Sequence, residues 1–122
     1  MPLRILCVDD NLNVRNFLNE AFRDAGFESC TAQNAAEALR YSAKAGFDVF
    51  IVNMSLPGMS GLDLCRELKP SYPEASFFAM TGYPTLSDRG LCRAAGFDDY
   101  FIKPFEITSA IQLICQCQEK AS

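Results

Sequence analysis

The tripeptide Ala-Gly-Phe recurs at Ala25-Gly26-Phe27, Ala45-Gly46-Phe47 and Ala95-Gly96-Phe97, each time after a helix-like stretch and before an acidic residue. Glycine just past a helix takes the left-handed conformation without a Cβ clash, and an apolar neighbour completes the stop signal. Three helices are therefore expected to end at these glycines. A short run of β-formers follows each one, Glu28–Ala32, Val49–Val52 and Tyr100–Ile102, so the chain passes from helix to strand three times in the same way.

The rest of the chain extends this alternation. Val14, Phe17, Leu18, Ala21, Phe22 and Ala25 recur at spacings of three and four, the apolar stripe of a first helix, which Asp10 or Asn11 is placed to cap. Asn34 and Glu37 have capping-box spacing and open a second helix through Leu39 to Ala45. A short third helix is expected over Gly61–Leu68, ended by Pro70 and Pro73. Thr85 with Asp88 marks the start of a fourth, and Ile107–Gln118 forms a fifth. Leu3–Val8 and Ser76–Met80 complete the strands. Strands one, three and four are almost continuously apolar, as strands buried on both faces are. Five strand and helix units with right-handed crossovers give an α/β, open, doubly wound, parallel five-stranded sheet. A closed (β/α)8 barrel needs about eight units and roughly twice this length.

Composition narrows the function. At 122 residues there is room for one domain, read as residues 1–122, large enough to fold without disulfides or metal. A net charge of −4 and scattered basic residues disfavour direct nucleic-acid binding. No run approaches a membrane span, and charge appears too early for a signal peptide, so a cytoplasmic protein without membrane contact is expected. The six cysteines contain no CxxC pair and histidine is absent, which excludes Cys2His2 and Cys3His zinc sites. Cys7 and Cys30, in strand-like runs, are expected to be reduced core residues.

The polar tips of the strands carry the chemistry. Asp9 and Asp10 follow strand one, Asn53 strand three, Thr81 strand four and Lys103 strand five. Ligands of open parallel sheets bind at this carboxyl edge. Taken singly, such residues are ordinary turn or cap formers; several at one edge indicate a site. Two adjacent carboxylates repel by a few kcal/mol at ~4 Å in an effective dielectric of about 20. A divalent cation relieves that repulsion, and oxygen ligands without histidine favour Mg2+. Lys103 offers a point charge and Thr81 a hydroxyl to a phosphoryl oxygen. The arrangement suits a transferred phosphoryl group, and a carboxylate nucleophile would complete it.

Along essentially its whole length the chain resembles the receiver domain of two-component response regulators. The matching segments are Val8-Asp9-Asp10, Asp48 to Gly61, Met80-Thr81-Gly82, and Gly96 to Phe105, including Lys103-Pro104. The resemblance implies a flavodoxin-like (βα)5 fold with strand order 2-1-3-4-5. It implies Mg2+ held by Asp9, Asp10, the residue at 53 and the backbone carbonyl of Ser55. It further implies a phosphoryl acceptor at 53, a conserved-type lysine at Lys103 before an often cis Pro104, and a switch pair, Thr81 and Tyr100. A sensor histidine kinase or phosphotransfer protein would be the donor. Output would pass to a downstream protein through helix four, strand five and helix five, including Tyr83, Leu86 and Tyr100. Such a domain is a signalling module and not an enzyme.

The departure lies at the acceptor, where the family pattern has Asp and this chain has Asn53. An amide is not a competent nucleophile toward phosphorus, and the missing charge should weaken Mg2+ binding and lessen repulsion with Asp9 and Asp10. Two accounts stand: a natural pseudo-receiver that works without phosphorylation, or a deliberate Asp-to-Asn substitution. The retained Asp9, Asp10, Thr81 and Lys103 favour the second. The chain ends soon after the fifth predicted helix, so no output domain is expected to follow; a domain excised from a longer protein would look the same. Two other functions suit the fold, a nucleotide or flavin binder and a Mg2+-dependent phosphate-ester hydrolase. The segment Asp9 to Arg15 lacks the glycine or hydroxyl residues of a phosphate loop, and GxGxxG and GxxxxGK[ST] are absent.

Overall fold

The acidic residue after each Ala-Gly-Phe serves the neighbouring strand. In the computed structural model, which describes residues 2–82, 88–103 and 106–121, Asp48 Oδ2 accepts the Arg4 amide at 2.9 Å and Asp98 Oδ2 accepts the Phe77 amide at 2.8 Å. Glu28 instead pairs with the Arg4 side chain at 3.2 Å. The elements run β1 (Arg4–Val8), α1 (Leu12–Asp24), β2 (Glu28–Ala32), α2 (Ala35–Lys44), β3 (Val49–Asn53), α3 (Gly61–Leu68), β4 (Ser76–Thr81), α4 (Asp88–Ala95), β5 (Asp99–Ile102) and α5 (Ile107–Ala121). A 3-10 turn at Lys69–Ser71 follows α3. All strand pairs are parallel and the order is β2-β1-β3-β4-β5, as the flavodoxin-like reading requires.

Period-two alternation divides the core between the two faces of the sheet. Leu6, Val8, Phe50, Val52, Phe77 and Ala79 pack with residues of α2, α3 and α4, among them Ala38, Leu64 and Cys92. Ile5, Cys7, Val49, Ile51, Phe78 and Met80 pack with Leu18 and Phe22 of α1 and Ala110 and Ile114 of α5. Burying each large side chain contributes about 1.5–3 kcal/mol before chain entropy is counted.

The helices start where side-chain caps permit. Asn11 accepts from Val14 N, Asn34 from Glu37 N and Ser60 from Asp63 N. Glu37 returns the bond to the Gln33 amide and not to Asn34, one residue off the usual box. Thr85 of the expected fourth cap, together with Tyr83, Leu86, Pro104 and Phe105, lies outside the described residues.

Three expectations are corrected. Gly26 and Gly96 take φ of +96° and +108°, but Gly46 is not left-handed. The second helix ends at an extended Ala45, and its last carbonyls are met by a distant side chain, the Tyr72 hydroxyl, 2.6 Å from Ser42 O and 2.7 Å from Ala45 O. Phe17 is 55% exposed, because the buried stripe of α1 is centred on Leu18 and Phe22 and Phe17 sits about 100° away. Cys30 is exposed although Cys7 is buried, since β2 is an edge strand. All six cysteines are free, and burial pushes the Cys65 thiol up to about 12 and raises that of Cys7. Among the described residues no helix is long and apolar enough to cross a membrane.

Candidate functional site

Strand register brings the polar tips together. Val8 pairs with Val52, Asn53 with Met80, and Thr81 with Ile102. The residues that continue β1, β3, β4 and β5 therefore leave the sheet at one edge. Backbone bonds hold the flanks: Asp9 N donates to Ala32 O at 3.1 Å, Met54 N to Met80 O at 2.9 Å, and Lys103 N to Thr81 O at 2.7 Å. β3 and β4 each run one residue further than expected from sequence, taking in Asn53 and Thr81.

Asp9 is 1% exposed and fully engaged. Its Oδ2 lies 2.7 Å from Lys103 Nζ, its Oδ1 accepts the Asn11 amide at 2.9 Å, and its backbone carbonyl accepts Arg15 Nη1 at 2.9 Å. A carboxylate this deep requires such partners, since an unpaired buried charge costs several kcal/mol. The Lys103 charge is thereby committed to Asp9.

Asp10 is exposed and meets Asn53 across the crevice, with Asn53 Nδ2 donating to Asp10 Oδ1 at 3.3 Å. The other end of the amide, Oδ1, accepts Ser55 N at 3.3 Å, closing an Asx turn. Both partners fix the same orientation: the nitrogen faces the carboxylate and the oxygen faces an N–H. Asn53 and Thr81 are each 8% exposed. Tyr100 lies on β5 opposite Ala79, half-buried against the core that includes Cys92.

Direct hydrogen bonds thus join Asp9 to Lys103 and Asp10 to Asn53 to Ser55, while Thr81 is placed by register at the same edge. Tyr100 sits inside the adjacent strand. Sequence reasoning missed two contributors. Arg15 holds the Asp9 carbonyl, and nothing in its spacing marks it. Gly61 packs so closely on the acceptor loop that an added Cβ would lie 2.3 Å from Asn53 O, a demand visible in sequence only as a glycine within a matching motif. Gly58, with φ +79° after Pro57, makes the turn between them.

Asp9 and Asp10 bring carboxylate oxygens to this edge, the donor type that Mg2+ takes with retained waters. Among the described residues no three His, Cys, Asp or Glu side chains gather.

Comparison with known proteins agrees with the geometry. The model of the response regulator receiver domain family matches residues 5–114. Response regulator MprA of Mycobacterium sp. is 34% identical over 107 residues, covering 88% of this chain and 46% of that protein. The DNA-binding transcriptional regulator NtrC of Escherichia coli is 34% identical over 107 residues, covering 88% of this chain and 23% of that protein. The chain therefore spans half or less of the length of these curated relatives. Among solved structures, chemotaxis protein CheY4 of Vibrio cholerae superposes with a TM-score of 0.89 at 26% identity, covering 93% of this chain and 99% of that one. A CheY-like receiver domain protein of Methanospirillum hungatei gives 0.93 at 25% identity, covering 99% and 97%.

Proposed function

This chain belongs to the response regulator receiver domain family of two-component signalling, and we propose that it is a receiver whose acceptor position accepts no phosphoryl group. The observation that carries this reading is Asn53 itself, at the tip of β3 with its amide bonded to Asp10 and the Ser55 N–H. An aspartate there would present a carboxylate oxygen to phosphorus. The amide oxygen is far less nucleophilic than a carboxylate oxygen, so no acyl phosphate forms at this position.

The remaining residues keep roles that do not depend on transfer. Asp9, Asp10, the Ser55 carbonyl and, after a turn of the amide, the Asn53 oxygen would hold Mg2+ more weakly than a three-carboxylate set. When bound, the ion supplies positive charge for phosphoryl oxygens. Lys103 neutralises Asp9, and in an acceptor-competent form would be shared with the phosphoryl group, while Thr81 would donate to it. Thr81 and Tyr100 form the switch pair. Retention of Asp9, Asp10, Thr81 and Lys103 supports a substituted receiver over one whose site has drifted.

The module works by protein contacts, upstream with a sensor histidine kinase or phosphotransfer protein. Downstream it acts through the α4, β5 and α5 face, where Leu91 and Ile102 are 45% and 49% exposed. The acidic balance of the chain supports a domain that does not itself touch nucleic acid, and its place of action in this reading is the cytoplasm. Incubation with acetyl phosphate and Mg2+ followed by intact-mass measurement tests the reading. Asn53→Asp should gain one phosphoryl adduct and the Asn53 form none; an adduct on the Asn53 form overturns it.

A further inference from the structure

The basic residues are scattered in sequence, yet three converge where β2 leaves the sheet edge open. Arg4 at the start of β1, Arg23 near the end of α1 and Lys44 at the end of α2 line a cavity of about 420 Å3 whose lining contains no Asp or Glu. That volume is within the range of small-ligand pockets, ~300–1,000 Å3. The cavity lies at the far end of β1 from Asp9, roughly 16 Å away at ~3.3 Å per residue. It is separate from the site described above.

Two of the cations are held in place. Arg23 Nη2 donates to Ser29 O at 3.2 Å. The Arg4 guanidinium lies 5.4 Å from the Phe47 ring centre and 3.2 Å from Glu28 Oε2. Lys44 makes no ion pair among the described residues. With Glu28 counted against Arg4, Arg23 and Lys44 remain as the cations of the groove lining; Glu20 and Asp24 flank Arg23 on its other side, in the adjoining groove.

The neutral groups of the pocket point to the same kind of ligand. Glu28 N donates to Leu3 O and Ala32 O accepts from Asp9 N, so alternate residues of β2 direct their amides to β1. Ser29 and Thr31 direct theirs to the open edge. Thr31 lines the cavity and offers an N–H there. Asn19 also lines it with the rest of its side chain, while its Oδ1 is buried away from the groove. Cations at helix C-termini commonly serve the helix dipole. That accounts for Arg23 and Lys44 singly, but not for Arg4 or for a lining without Asp or Glu.

We propose that this pocket binds a small phosphorylated metabolite such as a sugar phosphate or nucleoside monophosphate. The phosphoryl group lies between Arg23 and Lys44, within reach of the Thr31 N–H, and the organic part of the ligand lies along Tyr41 and Phe47. Charge-assisted bonds from two cations supply the affinity.

The test is calorimetric titration of the whole chain with adenosine monophosphate and, separately, inorganic phosphate, with amide NMR on the same samples. The nucleotide should bind in the sub-millimolar range and shift the Thr31 amide and the Asn19 side-chain amide. A variant carrying Arg23→Gln and Lys44→Gln, both exposed positions, should weaken binding by about tenfold or more. Lys69→Gln, whose ammonium lies over Phe77, should leave it unchanged. Absence of binding at millimolar nucleotide, shifts centred on Asp10 and Lys103, or indifference to the double substitution would overturn the site. Equal affinity for inorganic phosphate would overturn the organic part of the assignment.

Discussion

Asn53 Nδ2 lies 3.3 Å from Asp10 Oδ1, so a neutral hydrogen bond occupies the place where the family pattern sets two carboxylates face to face. At that separation two charges repel by about 5 kcal/mol in an effective dielectric of ~20. Asp10 is exposed and can turn toward water, which removes most of that cost. In chelator, Asn53→Asp should therefore lower the unfolding free energy by about 1–2 kcal/mol, the lost hydrogen bond included. Saturating Mg2+ should stabilise the Asp form more than the Asn53 form. Urea unfolding under both conditions checks this. Equal or greater stability of the Asp form in chelator would refute it.

Lys103 is the ion-pair partner of Asp9 inside the fold, 2.7 Å away with Asp9 only 1% exposed. Removing one member of a fully buried pair costs ~3–5 kcal/mol; Lys103 is partly solvated, so Lys103→Met should cost about 2–3 kcal/mol. Adding Asp9→Asn removes the stranded charge and should restore part of the loss. The double variant should thus be less destabilised than the sum of the singles, as a double-mutant cycle measures. Strict additivity would mean that the ion pair contributes no coupling.

Which parts of this arrangement could be read from sequence depends on how far the cause lies along the chain. β2 and α3 run over the residues expected, Glu28–Ala32 and Gly61–Leu68, because their limits are set by adjacent glycine, proline and capping side chains. The common edge of Asp9, Asn53, Thr81 and Lys103 was also legible, since parallel register turns strand ends into neighbours. The bond between Asp9 and Lys103 spans 94 residues, and no local pattern shows that the lysine charge is already committed. The ending of α2 was misread for the same reason: Ala45-Gly46-Phe47 has the local form of a glycine stop, but Tyr72 meets the carbonyls from 27 residues away. The cationic pocket is likewise invisible as a run, being assembled from β1, α1 and α2.

The two glycines Gly46 and Gly61 should respond oppositely to alanine. A Cβ on Gly61 would lie 2.3 Å from Asn53 O and 2.9 Å from Met54 Cα, both backbone atoms that cannot rotate aside. Gly61→Ala should cost about 2–4 kcal/mol, because the first residue of α3 cannot move without shifting the loop it packs on. Amide shifts at Asn53 and Ser55 should report the displaced loop. Gly46 has open space around the added carbon and a φ outside the left-handed region. Gly46→Ala should be neutral or stabilising by about 0.4–1 kcal/mol through the unfolded chain. A destabilised Gly46→Ala would restore the glycine-stop reading of α2 that the structure replaces.

Tyr72 links the 3-10 turn after α3 to the end of α2, and its hydroxyl gives that link a pH dependence. The ring meets Phe50 edge-on at 4.9 Å, while the hydroxyl is shared between the carbonyls of Ser42 and Ala45. Tyr72→Phe keeps the ring and leaves both carbonyls without that donor, which should cost about 1–2 kcal/mol near neutral pH. Burial raises the hydroxyl's pKa above the ordinary tyrosine value, and the nearby Arg4 charge opposes this only in part. The folded chain therefore holds the proton more tightly than the unfolded chain. The tyrosine's contribution is complete below the unfolded value of ~10 and is lost as pH rises through the higher folded one. Phenylalanine has no proton to lose, so the stability gap between the two chains should be widest from neutral pH to about pH 9 and close above about pH 10. Urea midpoints of both proteins across that range measure the gap directly. A gap that stays constant or widens with alkali would show that the Tyr72 proton does not hold the end of α2.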